Sequence, residues 1–314
     1  MEIPVEELNG VRPEGWADDR LVGSPDPWPE LYECMRSGRR VDARVVGVEG
    51  RGEDCRYVLD LGGVRGYLPL REAGDGLPPD PVAAVGTFLA CRVVACDRRQ
   101  GTCLLERRSL VEEMARATWA ELEEACREVL ALREKEKELE REDSVLARAE
   151  LRRLRLRIPE VAPSWRAVVR WVSRSRAVVD LGGVAGVLPR VEVSWSPPEH
   201  VREALKPGDC LVVKVIGLEP AERQAVVSRR WALPDPWQGA DQRYRRGGVY
   251  EGKVLRQVSE GRALVVELEP GLGILVQSPP GGLGVGASVL VEVRGIDVAE
   301  RRGSGRIVRV LSRP

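Results

Sequence analysis

Residues 58–69, VLDLGGVRGYLP, return as residues 178–189, VVDLGGVAGVLP, with nine of twelve positions identical at an offset of 120. Each copy reads as a strand, a Gly-Gly turn that admits positive φ, and a second strand running back. A β-hairpin used twice makes the chain an array of one small β unit, so its fold is set repeat by repeat. The correspondence continues. GTFLACRVVACDRRQGTCLLERR, starting at Gly86, matches GDCLVVKVIGLEPAERQAVVSRR, starting at Gly208, at an offset of 122. The tripeptide Asp26-Pro27-Trp28 returns as Asp235-Pro236-Trp237, ahead of a third copy in which GRALVVELEPGLGILV replaces the Gly-Gly hairpin.

In the first copy, strands are expected at residues 41–48, 55–61, 64–68, 86–96 and 101–106, with a Pro-rich connection before the fourth. That order is the signature of a small Greek-key barrel of the OB type. The fold class is therefore mainly β: three tandem five-stranded OB-type barrels, the third degenerate, with a helical segment between the first and second. The expected divisions are a poorly ordered acidic arm (1–24), a first barrel with its Asp-Pro-Trp junction (25–108), a helical linker or hairpin (109–160), a second barrel (161–230) and a third (231–314). A Trp held behind a φ-fixing Pro suits a packed junction, so Trp28 and Trp237 are assigned to the barrel floor over base stacking.

Residues 109–156 switch to the helical period. Ser109 and Glu112 suggest a capping box, and Val111, Ala115, Leu122, Cys126 and Val129 fall on one stripe. Asp143 or Ser144 could cap a second helix through Ala147, Leu151, Leu154 and Ile158. One long helix and an antiparallel pair both satisfy this pattern. The REKEKELERED run reads as a solvated face or hairpin end.

Seven cysteines without a Cys-x-x-Cys pair, and a single histidine at His200, offer no convergent metal ligands. The thiols are expected to be buried and reduced, which implies the cytoplasm. No run approaches the roughly 18 apolar residues of a membrane helix, and the acidic start lacks an apolar signal region. With no phosphate loop, nucleophile motif or recognisable carboxylate pair, neither an enzyme nor a cofactor is expected.

The chain is neutral overall, with 49 basic and 49 acidic residues, but the charge is unevenly placed. Residues 1–37 hold 3 basic and 9 acidic groups, and 109–160 hold 11 and 14. The β stretches are basic instead: 12 and 10 over 38–108, 11 and 7 over 161–230, and 12 and 9 over 231–314. A mild basic bias on each module suits modest, salt-sensitive binding of a polyanion.

The Asp-Pro-Trp step, a basic-Gly strand, the VxDLGGVxGxLP hairpin and the endings LERR, VSRR and LSR together resemble the S-one RNA-binding domain, in the form repeated in bacterial small-subunit ribosomal proteins. The resemblance covers residues 25–108 and 164–313 and implies the OB fold and binding of single-stranded RNA, with the small ribosomal subunit as a further partner. It places the family's stacking aromatics on Tyr57 and Tyr67, with Arg65 beside them. The equivalent positions Ala177 and Val187, and then Ala263 and Ile274, carry no ring. The acidic position of the last hairpin falls on Asp97, Glu219 and Asp297. Arg44, Arg98, Arg99, Arg170, Arg176 and Arg223 are the candidate phosphate contacts, and Trp171 is the candidate ring of the second repeat. Strict alternation along WRAVVRWV puts Trp165 and Trp171 on one face and Arg166 and Arg170 on the other. Since stacking contributes roughly 1–3 kcal/mol per base, the first repeat is expected to dominate. The competing possibility is a structural adaptor whose eroded barrels and helical segment dock onto the ribosome or a ribonuclease.

Overall fold

The computed structural model describes residues 11–16, 26–142, 144–258 and 261–313. Helix α1 (Trp28–Ser37) leads into β1 (Val41–Glu49), β2 (Arg56–Asp60), β3 (Arg65–Pro69), β4 (Phe88–Asp97) and β5 (Thr102–Glu106). These strands close as a barrel in the order β1-β2-β3-β5-β4, in which β3 and β5 run parallel. Helices α2 (Arg108–Ala125), α3 (Arg127–Glu140) and α4 (Val145–Val161) follow. The second barrel is β6 (Ser164–Val172), β7 (Arg176–Asp180), β8 (Ala185–Pro189), β9 (Cys210–Glu219) and β10 (Gln224–Ser228), joined as β6-β7-β8-β10-β9. After a short helix α5 (Ala240–Arg243), the third is β11 (Val249–Val258), β12 (Ala263–Glu269), β13 (Leu272–Gln277), β14 (Ser288–Asp297) and β15 (Arg302–Ser312), again in the same order. The chain divides into two compact units, Met1–Val193 with Pro198–Ala232, and Ser194–Pro197 with Leu233–Pro314.

Each barrel fills its interior from one face of every strand. In the first, Val45, Leu59, Leu68, Leu89 and Leu105 are buried, each stabilising the fold by roughly 1.5–3 kcal/mol. In the second, Trp165 is fully buried and donates its indole N–H to the Leu181 carbonyl at 3.1 Å. Trp28 and Trp237 are buried too, so the junction assignment holds. Their motif also has a polar half: Asp26 and Asp235 accept the amides of Trp28 and Trp237. The same aspartates pair with Arg98 at 3.1 Å and Arg301 at 2.7 Å on the last hairpin of their barrels.

The helical segment is three helices, and α3 with α4 forms the hairpin. Ser144 caps α4 by accepting the Ala147 amide, as one of the two expected caps. The Ser109–Glu112 capping box does not form, because Ser109 is already inside α2 and its hydroxyl donates to Glu106. Leu122, Cys126, Val129 and Ile158 join the core of the second barrel, so the segment is part of that barrel's packing and not a free spacer. The acidic-basic run is ion-paired to α4, with Arg155 at 2.7 Å from Glu136 and 2.6 Å from Glu140.

Most of the acidic arm lies outside the described residues, but 11–16 are firmly placed, against the expectation of disorder. Arg40 donates to the carbonyls of Arg12 and Pro13. Glu14 is 1% exposed, and its carboxylate accepts from Arg107 at 2.6 and 2.7 Å, from the Ala90 amide and from Arg170. Burial alone would raise its pKa, but Arg107 and Arg170 overcome that and hold it at about 2.

Candidate nucleic-acid interface

In each barrel the outer positions paired across the second, third and fifth strands form a cross-strand row that starts on the first strand. In barrel one the row is Gly47, Val58, Tyr67 and Leu104. In barrel two it is Trp171, Val178, Val187 and Val226, and in barrel three Arg256, Val265, Leu275 and Ser304. Barrels one and two therefore each present one ring, contributed by different strands.

Tyr67 is partly exposed, with the Arg56 guanidinium 4.0 Å from its ring centroid. Trp171 is partly exposed, with the Arg176 guanidinium 5.9 Å from its ring. Both distances lie within cation–π range. Arg56 and Arg176 are the same position of the repeat, each opening the strand before the Gly-Gly turn. Arg56 is not among the residues expected at the site, although its 120-residue offset from Arg176 marks it. Beside Tyr67, Arg44, Asp60 and Arg65 form the next row of the sheet, all exposed. This face can stack a base on each ring and hold phosphates with the arginines that flank it.

Two expected site residues are corrected. Tyr57 points inward opposite Leu68 and is 1% exposed, because side chains alternate and its neighbour Val58 takes the outer position. It is a core residue of barrel one. Arg170 is 4% exposed and tied to Glu14 and, at 2.9 Å, to Asp180, so its charge is spent inside the protein. The cause is a β-bulge between Val169 and Trp171, which leaves Arg170 unpaired in the ladder. The bulge also breaks the alternation, so Trp165 faces the core and Trp171 does not.

Arg98 and Arg99 are exposed on the turn after β4, where Asp97 accepts the amides of Arg99 and Gln100. Arg98 is partnered by Asp26, which gives it a structural role that Arg301 repeats. Arg223 is exposed at a positive φ of 48° in the turn before β10. A groove of about 700 Å³ collects Trp171, Arg176, Val187 and Arg223 on the outer face of barrel two, and Asp75 and Arg107 of barrel one line its other side.

Residues 159–230, which hold barrel two, match the family described as the S1 RNA binding domain. Over 90% of its length the chain is 27% identical to the small ribosomal subunit protein bS1 homolog of Bacillus cereus, covering 66% of that protein. It is 23% identical to bS1 of Rhodopseudomonas palustris, covering 88% of this chain and 42% of that one. With bS1 of Mycolicibacterium smegmatis the figures are 24%, 88% and 51%. The chain thus spans between 42% and 66% of the length of these relatives. Barrel two is therefore the region similar to the S1 RNA binding domain family, and barrels one and three close in the same strand order.

Proposed function

We propose that the chain binds single-stranded RNA without catalysing a reaction on it, using the outer faces of barrels one and two. The carrying observation is the ring with an arginine over it in both barrels, Tyr67 with Arg56 and Trp171 with Arg176. A ring offers any base a π-face, and an adjacent guanidinium pays for the neighbouring phosphate, so the preference is for unpaired RNA with little sequence reading. Arg44, Arg65, Arg99 and Arg223 extend the phosphate contacts, and barrel three, whose row has no ring, contributes charge alone. The relatives' names point to the small ribosomal subunit as the setting, and hence to the cytoplasm, with messenger RNA as the single strand we propose is held there.

The test is titration with an unstructured RNA oligonucleotide at two salt concentrations. Log affinity should fall by about 0.7 per neutralised phosphate for each decade of salt. Replacing Tyr67 and Trp171 together with Ala should abolish most of the binding. Unchanged affinity in that double variant would remove the proposed face from consideration.

A further inference from the structure

Cys96 and Cys103 sit directly opposite one another on the antiparallel strands β4 and β5. Side chains of directly opposed residues leave the sheet on the same side, and here the two sulfurs are 3.4 Å apart, with the Cys103 thiol donating to Cys96. Antiparallel partners have Cα atoms about 4.5–5.5 Å apart, inside the roughly 4.4–6.8 Å that a disulfide spans. The register already pairs the two residues, so a disulfide between them needs no shift of one strand along the other.

We propose that this pair is an oxidation site, converted by a hydroperoxide to a reversible cross-strand disulfide. The two thiols are unequally placed for the work. Cys103 is 2% exposed, and burial, with the hydrogen bond to Cys96, pushes its thiol up to about 12, so it stays protonated and out of reach of a solute. Cys96 is partly exposed and meets the oxidant first. Its sulfur attacks one peroxide oxygen, the O–O bond breaks, and the other oxygen leaves as water or an alcohol after taking the thiol's proton. Cys96 is then a sulfenic acid. The Cys103 sulfur attacks that of Cys96, the S–S bond forms, the S–O bond breaks, and the Cys103 proton leaves with the hydroxide as water. Two thiols lose two electrons and the peroxide gains them. The contact already present spares the sulfenic acid the search for a partner, which protects it from further oxidation.

The link would close the base of the turn that carries Arg98 and Arg99, where Asp97 already accepts the Arg99 amide and Asp26 the Arg98 side chain.

Trypsin cuts after Arg92, Arg98, Arg99 and Arg107, so Cys96 and Cys103 fall in separate peptides, 93–98 and 100–107. The intact protein is treated with hydrogen peroxide, alkylated and digested. The expected result is one joined species of these two peptides, at a yield independent of protein concentration, that separates again on adding dithiothreitol. Cys96→Ser and Cys103→Ser should each abolish it. Finding Cys96 as a sulfinic acid beside an alkylated Cys103, or both cysteines still alkylated after exposed Cys210 has been oxidised, would overturn the proposal; wild-type mapping alone decides this even if a variant fails to fold.

Discussion

Barrels one and two share a strand order and a nearly identical DLGG hairpin, yet they raise their rings from different strands. In barrel one the ring is Tyr67 on β3; in barrel two Val187 takes that place and Trp171 on β6 supplies the ring. What both keep is the arginine before the turn, Arg56 or Arg176, poised over whichever ring is present. The place of the arginine is therefore what these two barrels share, while the ring moves along the row. A second contrast lies at the bulge in each barrel's first strand. Val46 of barrel one, 52% exposed, falls at this irregularity, whereas barrel two places Arg170 there and buries it against Glu14 and Asp180. The hairpin turns differ as well, because α2 packs on the second one. A side chain at Gly63 would meet nothing within 4 Å, but one at Gly183 would lie 2.7 Å from the Ala115 amide nitrogen of α2.

The largest expected effect tests the bulge contrast. Glu14→Ala leaves Arg107 and Arg170 buried without their shared carboxylate and should cost about 3–5 kcal/mol of unfolding free energy in urea. Val46→Ala should stay within about 0.5 kcal/mol. Equal costs would erase the distinction. The same carboxylate gives a pH dependence. Because its folded pKa is depressed to about 2, its contribution is complete above the ordinary value of 4.5 and is lost as pH falls from there through about 2. An acid titration of stability should therefore steepen in that window for the wild type and flatten for Glu14→Gln.

Next in size are the rings. Tyr67→Ala and Trp171→Ala should each weaken RNA binding by about 1–3 kcal/mol, with the fold retained. Tyr57→Ala should instead cost about 3–5 kcal/mol of stability, as for other large core aromatics. If Tyr57→Ala proved stable and selectively blind to RNA, the assignment of the outer row would be wrong. The smallest effect belongs to the arginines. Arg56→Ala and Arg176→Ala should each lose about 0.5–1 kcal/mol of affinity and lower the salt slope by about 0.7, equally in the two barrels. A loss confined to one barrel would show that only that face carries RNA.

Strand count, strand order and the position of all five strands of barrel one were legible in the chain, because alternation and the Gly-Gly turns recur at fixed offsets. Ser144 as a cap and Trp28 and Trp237 as packed side chains were legible too. The face of a ring was harder to read. Tyr57 and Tyr67 look alike in sequence, and only the register that pairs Val58 with Tyr67 turns one in and the other out. Trp171 and Arg170 were misplaced relative to Trp165 because one extra residue at a bulge reverses every later side chain, and no residue type announces it.

Hydrophobic period and turn chemistry are local properties of consecutive residues, and they were enough to specify tandem five-stranded barrels with a mild basic excess. Which charges remain available to a ligand was settled by long-range packing. Glu14 lies 93 residues from Arg107 and 156 from Arg170, so the neutralisation of both arginines is a long-range pairing that no local pattern encodes. Burial makes that pairing strong, because a guanidinium removed from water must find its counter-charge inside the protein.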